Sequence, residues 1–143
     1  MNWVREYTDR IRSGDEVVSD KVRALYDREL SWINGSCPAG FQFYFDEKET
    51  KRHIDFIEKF CKHSKGKFAG TPFKLELFQK AKLSLVFGWK EISTGYRRFH
   101  EIIDIRGRKC GKSSETAAVE WDVALNDKEG GPEVYCTAKK KDQ

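Results

Sequence analysis

Apolar positions recur at helical spacing in five stretches of the chain. Trp3, Val4, Tyr7 and Ile11 share one face of residues 2–12, with charges between them, and predict a helix that stops at Ser13-Gly14. Val22, Leu25, Tyr26, Leu30 and Ile33 predict a second helix over residues 20–33. Ile54, Ile57 and Phe60 predict a third that ends near Lys62, opened by Asp46 as N-cap with Glu49 completing a capping box. A fourth is expected over residues 75–87, with Leu77, Phe78, Ala81 and Leu85 inward. A fifth is expected over residues 114–126, with Ala117, Trp121, Ala124 and Leu125 inward.

Other stretches read as extended. Phe41, Phe43 and Phe45 alternate with Gln42 and Tyr44, as in a short half-buried strand. An aromatic platform for single-stranded nucleic acid has the same pattern, but no basic residue falls within this run, which favours burial. Phe99, Ile102, Ile103 and Ile105 form a second candidate strand, and residues 133–138 a third. Asn34 to Gly40, His63 to Pro72, Gly88 to Gly95 and Gly130-Gly131-Pro132 carry the glycines and prolines of connectors.

Composition narrows the class. The chain has 143 residues, 38% of them hydrophobic and 35% charged, enough for one modest core under a well-solvated surface. No apolar run approaches the roughly 20 residues that cross a bilayer, and residues 1–12 lack the apolar core of a signal peptide. The four cysteines stand at 37, 61, 110 and 136 without a paired spacing, which supports neither a zinc site nor a disulfide framework. Free thiols fit a reducing cytoplasm. The net charge of +4 is mild but uneven. Arg97, Arg98, Arg106, Arg108, Lys109 and Lys112 gather between residues 96 and 113, against Glu101 and Asp104, where a polyanion would be the natural partner.

The chemistry of that basic stretch is specific. In Arg106-Gly107-Arg108-Lys109-Cys110-Gly111-Lys112-Ser113, the closing Gly-Lys-Ser supplies a turn of backbone N–H groups, a lysine for outer phosphates and a hydroxyl for magnesium. The usual pattern G-x-x-x-x-G-K-[ST] has a glycine five residues before the second one, where this chain has Arg106. An apolar run before the loop and an amphipathic one after it supply the context. The expected fold is therefore α/β: a helical lead-in over residues 1–40, then over residues 41–143 the first β-P-loop-α-β unit of a P-loop NTPase, its strands parallel in an incomplete sheet with a right-handed crossover.

With the loop in place, the chain resembles the N-terminal part of a phage large terminase subunit, the ATPase that drives DNA into a preformed capsid. The resemblance is carried by residues 70–79, Gly-Thr-Pro-Phe-Lys-Leu-Glu-Leu-Phe-Gln, with Val86-Phe87-Gly88-Trp89 after them. Arg97-Arg98-Phe99 leading into the deviant loop, and Glu133-Val134-Tyr135 with Ala138, Lys139 and Gln143, carry the rest. No apolar strand ending in an acidic pair follows Ser113, so the resemblance implies a chain truncated before its Walker B strand, without the nuclease domain.

The resemblance implies an ATP and Mg2+ site. Backbone N–H groups from Gly107 through Arg108, Lys109, Cys110 and Gly111 to Lys112 would cradle the β-phosphate, with Ser114 beside them. Lys112 would pair with β/γ oxygens, and Ser113 would ligate magnesium. Arg108, or Lys109 beside it, would reach the γ-phosphate, in competition with a finger from a neighbouring subunit. Gln79 would read the adenine edge. Lys112 and Arg108 are the expected catalytic groups, although no carboxylate is well placed for hydrolysis, so weak nucleotide binding without useful turnover is expected of this polypeptide alone. Double-stranded viral DNA, the small terminase subunit and the portal are the implied partners, in a bacterial host cytoplasm and with no membrane. Two competing readings are another P-loop ATPase, helicase-like, and a non-catalytic module whose N-terminal helices dock a packaging partner or DNA.

Overall fold

A computed structural model describes residues 2–64, 66–107, 110–127 and 133–135. The chain forms two compact units, one of Met1–Asp55 with Lys74–Asp104 and one of Phe56–Phe73 with Ile105–Gln143.

In the first unit, helix α1 (Trp3–Ser13) opens where the Asn2 side chain accepts the Arg5 N–H and stops at Gly14, whose φ of +87° suits only a residue without a side chain. Helix α2 (Asp20–Ile33) follows, capped by Ser19. Strand β1 (Phe43–Phe45), helix α3 (Glu47–Phe60), helix α4 (Leu77–Gly88) and strand β2 (Trp89–Glu91) come next, with residues 56–60 of α3 counted in the second unit. α1 packs on α2 and α4, and its predicted face is the one buried. Val4, Tyr7, Ile11, Tyr26, Ala81, Leu85 and Trp89 form the core, with Tyr7 and Tyr26 edge to face at 4.8 Å. Leu25, expected inward, is exposed, while Glu29 is fully buried. Its carboxylate is held by Arg28 at 2.8 Å and Arg98 at 3.5 Å, which draws that side of α2 inward.

Three expectations about strands are corrected. Gly88 to Gly95 reads as a connector, yet Gly88 ends α4 and Trp89–Glu91 pairs antiparallel with β1, Phe45 opposite Trp89 and Phe43 opposite Glu91. Gly88 acts here through clearance: a Cβ would stand 2.6 Å from both Phe45 Cε2 and Thr50 Cγ2. The strand expected from Phe99 to Ile105 is absent. Phe99 packs against the core, whereas residues 101–107 have no regular structure and Ile103 and Ile105 are 84% and 88% exposed. A parallel strand needs neighbours and covered faces. The described residues hold one sheet, of two antiparallel strands, and none of it flanks this run. Of the strand expected over residues 133–138, residues 133–135 carry none and the rest lie outside the described residues.

In the second unit, residues 61–73 fold back on themselves. Phe73 N–H donates to Cys61 O at 2.9 Å and His63 N–H to Thr71 O at 3.0 Å, around a short 3-10 turn at Gly66–Phe68. Helix α5 (Lys112–Asn126) buries Glu115, Ala118 and Asp122. The buried face is thus rotated from the expected one: Trp121 and Leu125 are 61% and 65% exposed. The buried line follows the same helical periodicity one step round, and it is selected by the ion pair of Glu115 with Arg106 and by packing of Ala118. Phe60, also expected inward, is exposed at the last turn of α3. Phe56, Cys61, Phe73, Ala118 and Trp121 line a cavity of about 320 Å3.

Two tests follow from the first unit. Gly88→Ala is expected to lower stability by about 1–3 kcal/mol, because its methyl group overpacks Phe45 and Thr50. A urea denaturation series would show this as a lower midpoint, and an unchanged midpoint would refute it. Glu49, bonded by Arg52 at 2.7 Å and Lys90 at 3.2 Å, is held from 4.5 down to about 2, chiefly by the Arg52 hydrogen bond, with burial opposing and Lys90 assisting. A depressed carboxylate contributes stability that is fully present above about 4.5 and is lost as pH falls towards 2. Thermal melts between those limits should therefore show a steeper acid loss in the native chain than in Glu49→Gln.

Candidate functional site

The loop read from the sequence is joined to α5 by its own side chains. Gly111 takes a φ of +71° and is the N-cap of α5, so the chain turns sharply before the first helical residue, Lys112. A glycine cap offers no side chain to the N–H groups of the first turn, and such a turn suits an anion. Ser113 and Ser114 are exposed there, as are Gly107 and Cys110. Arg108 and Lys109 lie outside the described residues.

Three contacts fix the loop's ends. Lys112 Nζ donates to the Arg106 carbonyl at 2.7 Å. The Arg106 guanidinium meets Glu115 Oε2 at 2.7 Å and donates to the Cys110 carbonyl at 3.4 Å. The Glu115 side chain is 3% exposed, so this ion pair is largely out of water. Sequence spacing does not show the partnership of Arg106 with Glu115; it places Arg106 in the basic cluster and where a glycine is usual. The available signal is that Glu115 lies three residues after Lys112 on the first turn of a basic loop's helix, a spacing at which a carboxylate needs a cation.

Gln79 belongs to the first unit and is described there. It is 5% exposed and stands at the third position of α4, where its Oε1 accepts the Glu76 N–H at 2.8 Å. This completes a capping box with Glu76. Asp104, one of the two acidic residues set against the basic cluster, pairs with Lys82 at 2.5 Å. In the second unit, the Cys61 thiol is pushed up by burial and then by the Asp122 carboxylate, which keeps it protonated and unreactive.

A glycine-capped, fifteen-residue helix that begins with Lys-Ser-Ser has the features of a phosphate-accepting helix terminus. Comparison with known families supplies the next step. Residues 77–143, just under half of the chain, match the model described as terminase large subunit, ATPase domain. Across that segment the chain is similar to the ATPase domain of terminase large subunits. No curated protein and no solved structure matches the chain. The matched segment holds Gln79 and all of Gly107 to Ser114. The family connects it with packaging and with nucleotide binding. Among the described residues, no helix is long and apolar enough to cross a membrane.

The cap at Gln79 can be tested apart from any ligand. Gln79→Ala should destabilise the chain by about 1 kcal/mol through loss of the capping bond, whereas Gln79→Glu, which keeps an acceptor at that position, should stay close to wild type. Thermal denaturation of the two variants decides it, and equal losses would argue against a capping role.

Proposed function

We propose that the loop from Arg106 to Ser114 binds the phosphates of ATP with Mg2+, in the N-terminal portion of the ATPase domain of a phage large terminase subunit. Residues 41–143 would be that portion, following a helical region over residues 1–40. In the full motor the activity is ATP hydrolysis coupled to packaging of double-stranded viral DNA, with the small terminase subunit and the portal as partners in the bacterial host cytoplasm. The observation that carries this reading is the family match across a segment in which Gly111 caps α5 and Lys112, Ser113 and Ser114 form its first turn.

The residues present fit the group. Backbone N–H groups near Gly107 and from Gly111 to Ser114 would face phosphate oxygens, Lys112 would exchange the Arg106 carbonyl for β/γ oxygens, and the Ser113 hydroxyl would hold the metal. The exchange at Lys112 is favourable because an ionic acceptor binds an ammonium more strongly than a neutral carbonyl does. Arg108 or Lys109 would meet the γ-phosphate. Magnesium, when bound, neutralises part of the charge on the β- and γ-phosphates. Gln79, the proposed adenine contact, already accepts the Glu76 N–H at its Oε1, an oxygen with a second lone pair.

Titration calorimetry of the 143-residue chain with ATP and magnesium tests the reading. Lys112→Ala is expected to weaken binding about ten- to hundredfold, the worth of a charge-assisted contact. Equal affinity of wild type and Lys112→Ala, or no binding by the wild type, would remove the loop from this role.

A further inference from the structure

We infer that Arg106 is a positioning residue for phosphate binding, which holds the Glu115 carboxylate away from Lys112 and from the incoming phosphates. The inference rests on the reading of the loop as a phosphate site. It concerns the residue that departs from the usual loop glycine.

Glu115 lies on the first turn of α5, three residues after Lys112, so the two side chains are neighbours on the helix surface. A carboxylate in a first turn stabilises the helix, because it faces the positive end of the helix dipole. The same charge opposes a phosphate that uses that end, and it attracts the lysine on which the phosphate depends. Both conflicts are strong where water is scarce, and the Glu115 side chain is 3% exposed.

Arg106 meets both with one residue. Its guanidinium lies 2.7 Å from Glu115 Oε2, so the carboxylate is balanced by a cation that is not Lys112. Its backbone carbonyl accepts from Lys112 Nζ at 2.7 Å, a neutral partner that can be exchanged for phosphate. Its Nη1 also donates to the Cys110 carbonyl at 3.4 Å, which ties the loop's start to the residue before Gly111. A glycine at position 106 would offer the carbonyl but no counter-charge. The arginine is therefore a functional substitution for the usual glycine, and Glu115 is the reason for it.

The test is a charge-compensation series on the whole chain, read by calorimetric titration with magnesium and ATP, and with inorganic pyrophosphate as a base-free probe. Arg106→Ala should weaken both ligands by about tenfold, as expected for one uncompensated charge beside the site. Adding Glu115→Gln to Arg106→Ala should bring affinity back to within about threefold of wild type, which a purely architectural role for Arg106 would not do. Glu115→Gln alone should bind at least as tightly as wild type. If Arg106→Ala fails to fold, Glu115→Gln still decides, because a tenfold loss in Glu115→Gln would overturn the inference. Unchanged affinity in Arg106→Ala, or a double variant as weak as the single one, would overturn it too. A wild-type chain that binds neither probe overturns the phosphate reading together with this inference, whereas binding by wild type with no rescue overturns the inference alone.

Discussion

The first unit depends on a charge held among aromatic rings. The Arg98 guanidinium lies 4.9–5.6 Å from the ring centres of Trp32, Phe41, Phe43, Trp89 and Phe99, and reaches the fully buried Glu29 at 3.5 Å. Burial lowers the basicity of Arg98, and Glu29 opposes that shift. Ring faces attract a cation, but they do not replace its lost hydration. Glu29 supplies the counter-charge, and it in turn carries Arg28 on its other oxygen. Removing one member of such a pair leaves a buried charge uncompensated, at a cost of about 3–5 kcal/mol. The arrangement ties α2, β1, β2 and the segment at residues 97–99 into one packing unit, and that segment is the one that continues towards the loop.

This explains which parts of the fold were legible in the sequence. α1 follows from spacing because it buries an apolar stripe against other apolar side chains, whereas α4 is legible as a helix but is buried on nearly all sides, with Gln79, Leu83, Ser84, Val86 and Phe87 inside beside Ala81 and Leu85. α2 is legible as a helix but only partly as a face, since Glu29 is inside and Leu25 is not. Here a buried ion pair sets the rotation, and its partner lies 69 residues away in sequence, beyond the reach of any local pattern. α5 repeats the case within the second unit. Its most hydrophobic stripe contains Trp121 and Leu125, yet Glu115 and Asp122 lie on the buried side. Periodicity identifies a helix and proposes a face, and long-range charge pairing can overrule the proposal.

The strands were less legible because a strand is defined by its partner. Trp89–Glu91 is too short and too close to Gly88 to stand out, and it exists because Phe43–Phe45 lies against it. Ile102, Ile103 and Ile105 have the composition of a buried strand without a strand beside them among the described residues, and they are exposed. Composition gives a preference that pairing must satisfy. For the candidate site, the Gly-Lys-Ser turn and its helix were legible because they are contiguous. The pairing of Arg106 with Glu115 was not, because it depends on how a loop folds back on the helix that follows it.

A glycine-rich phosphate loop obtains its shape from backbone freedom, since residues without side chains can take the turns that aim N–H groups at one point. At Gly111 this chain keeps that freedom, with φ at +71°. At position 106 it has a long cation instead, and the loop's start is held by three polar contacts from one residue and its partners. Shape is then set by charge, and the same contacts that fix the backbone also distribute charge around the site. Lys112 rests on a neutral oxygen while Glu115 rests on an arginine, so the group proposed to meet phosphate is the one held by the weaker acceptor. A loop built this way does not need a glycine at its first position, and its departure from the common pattern is compatible with the same chemistry.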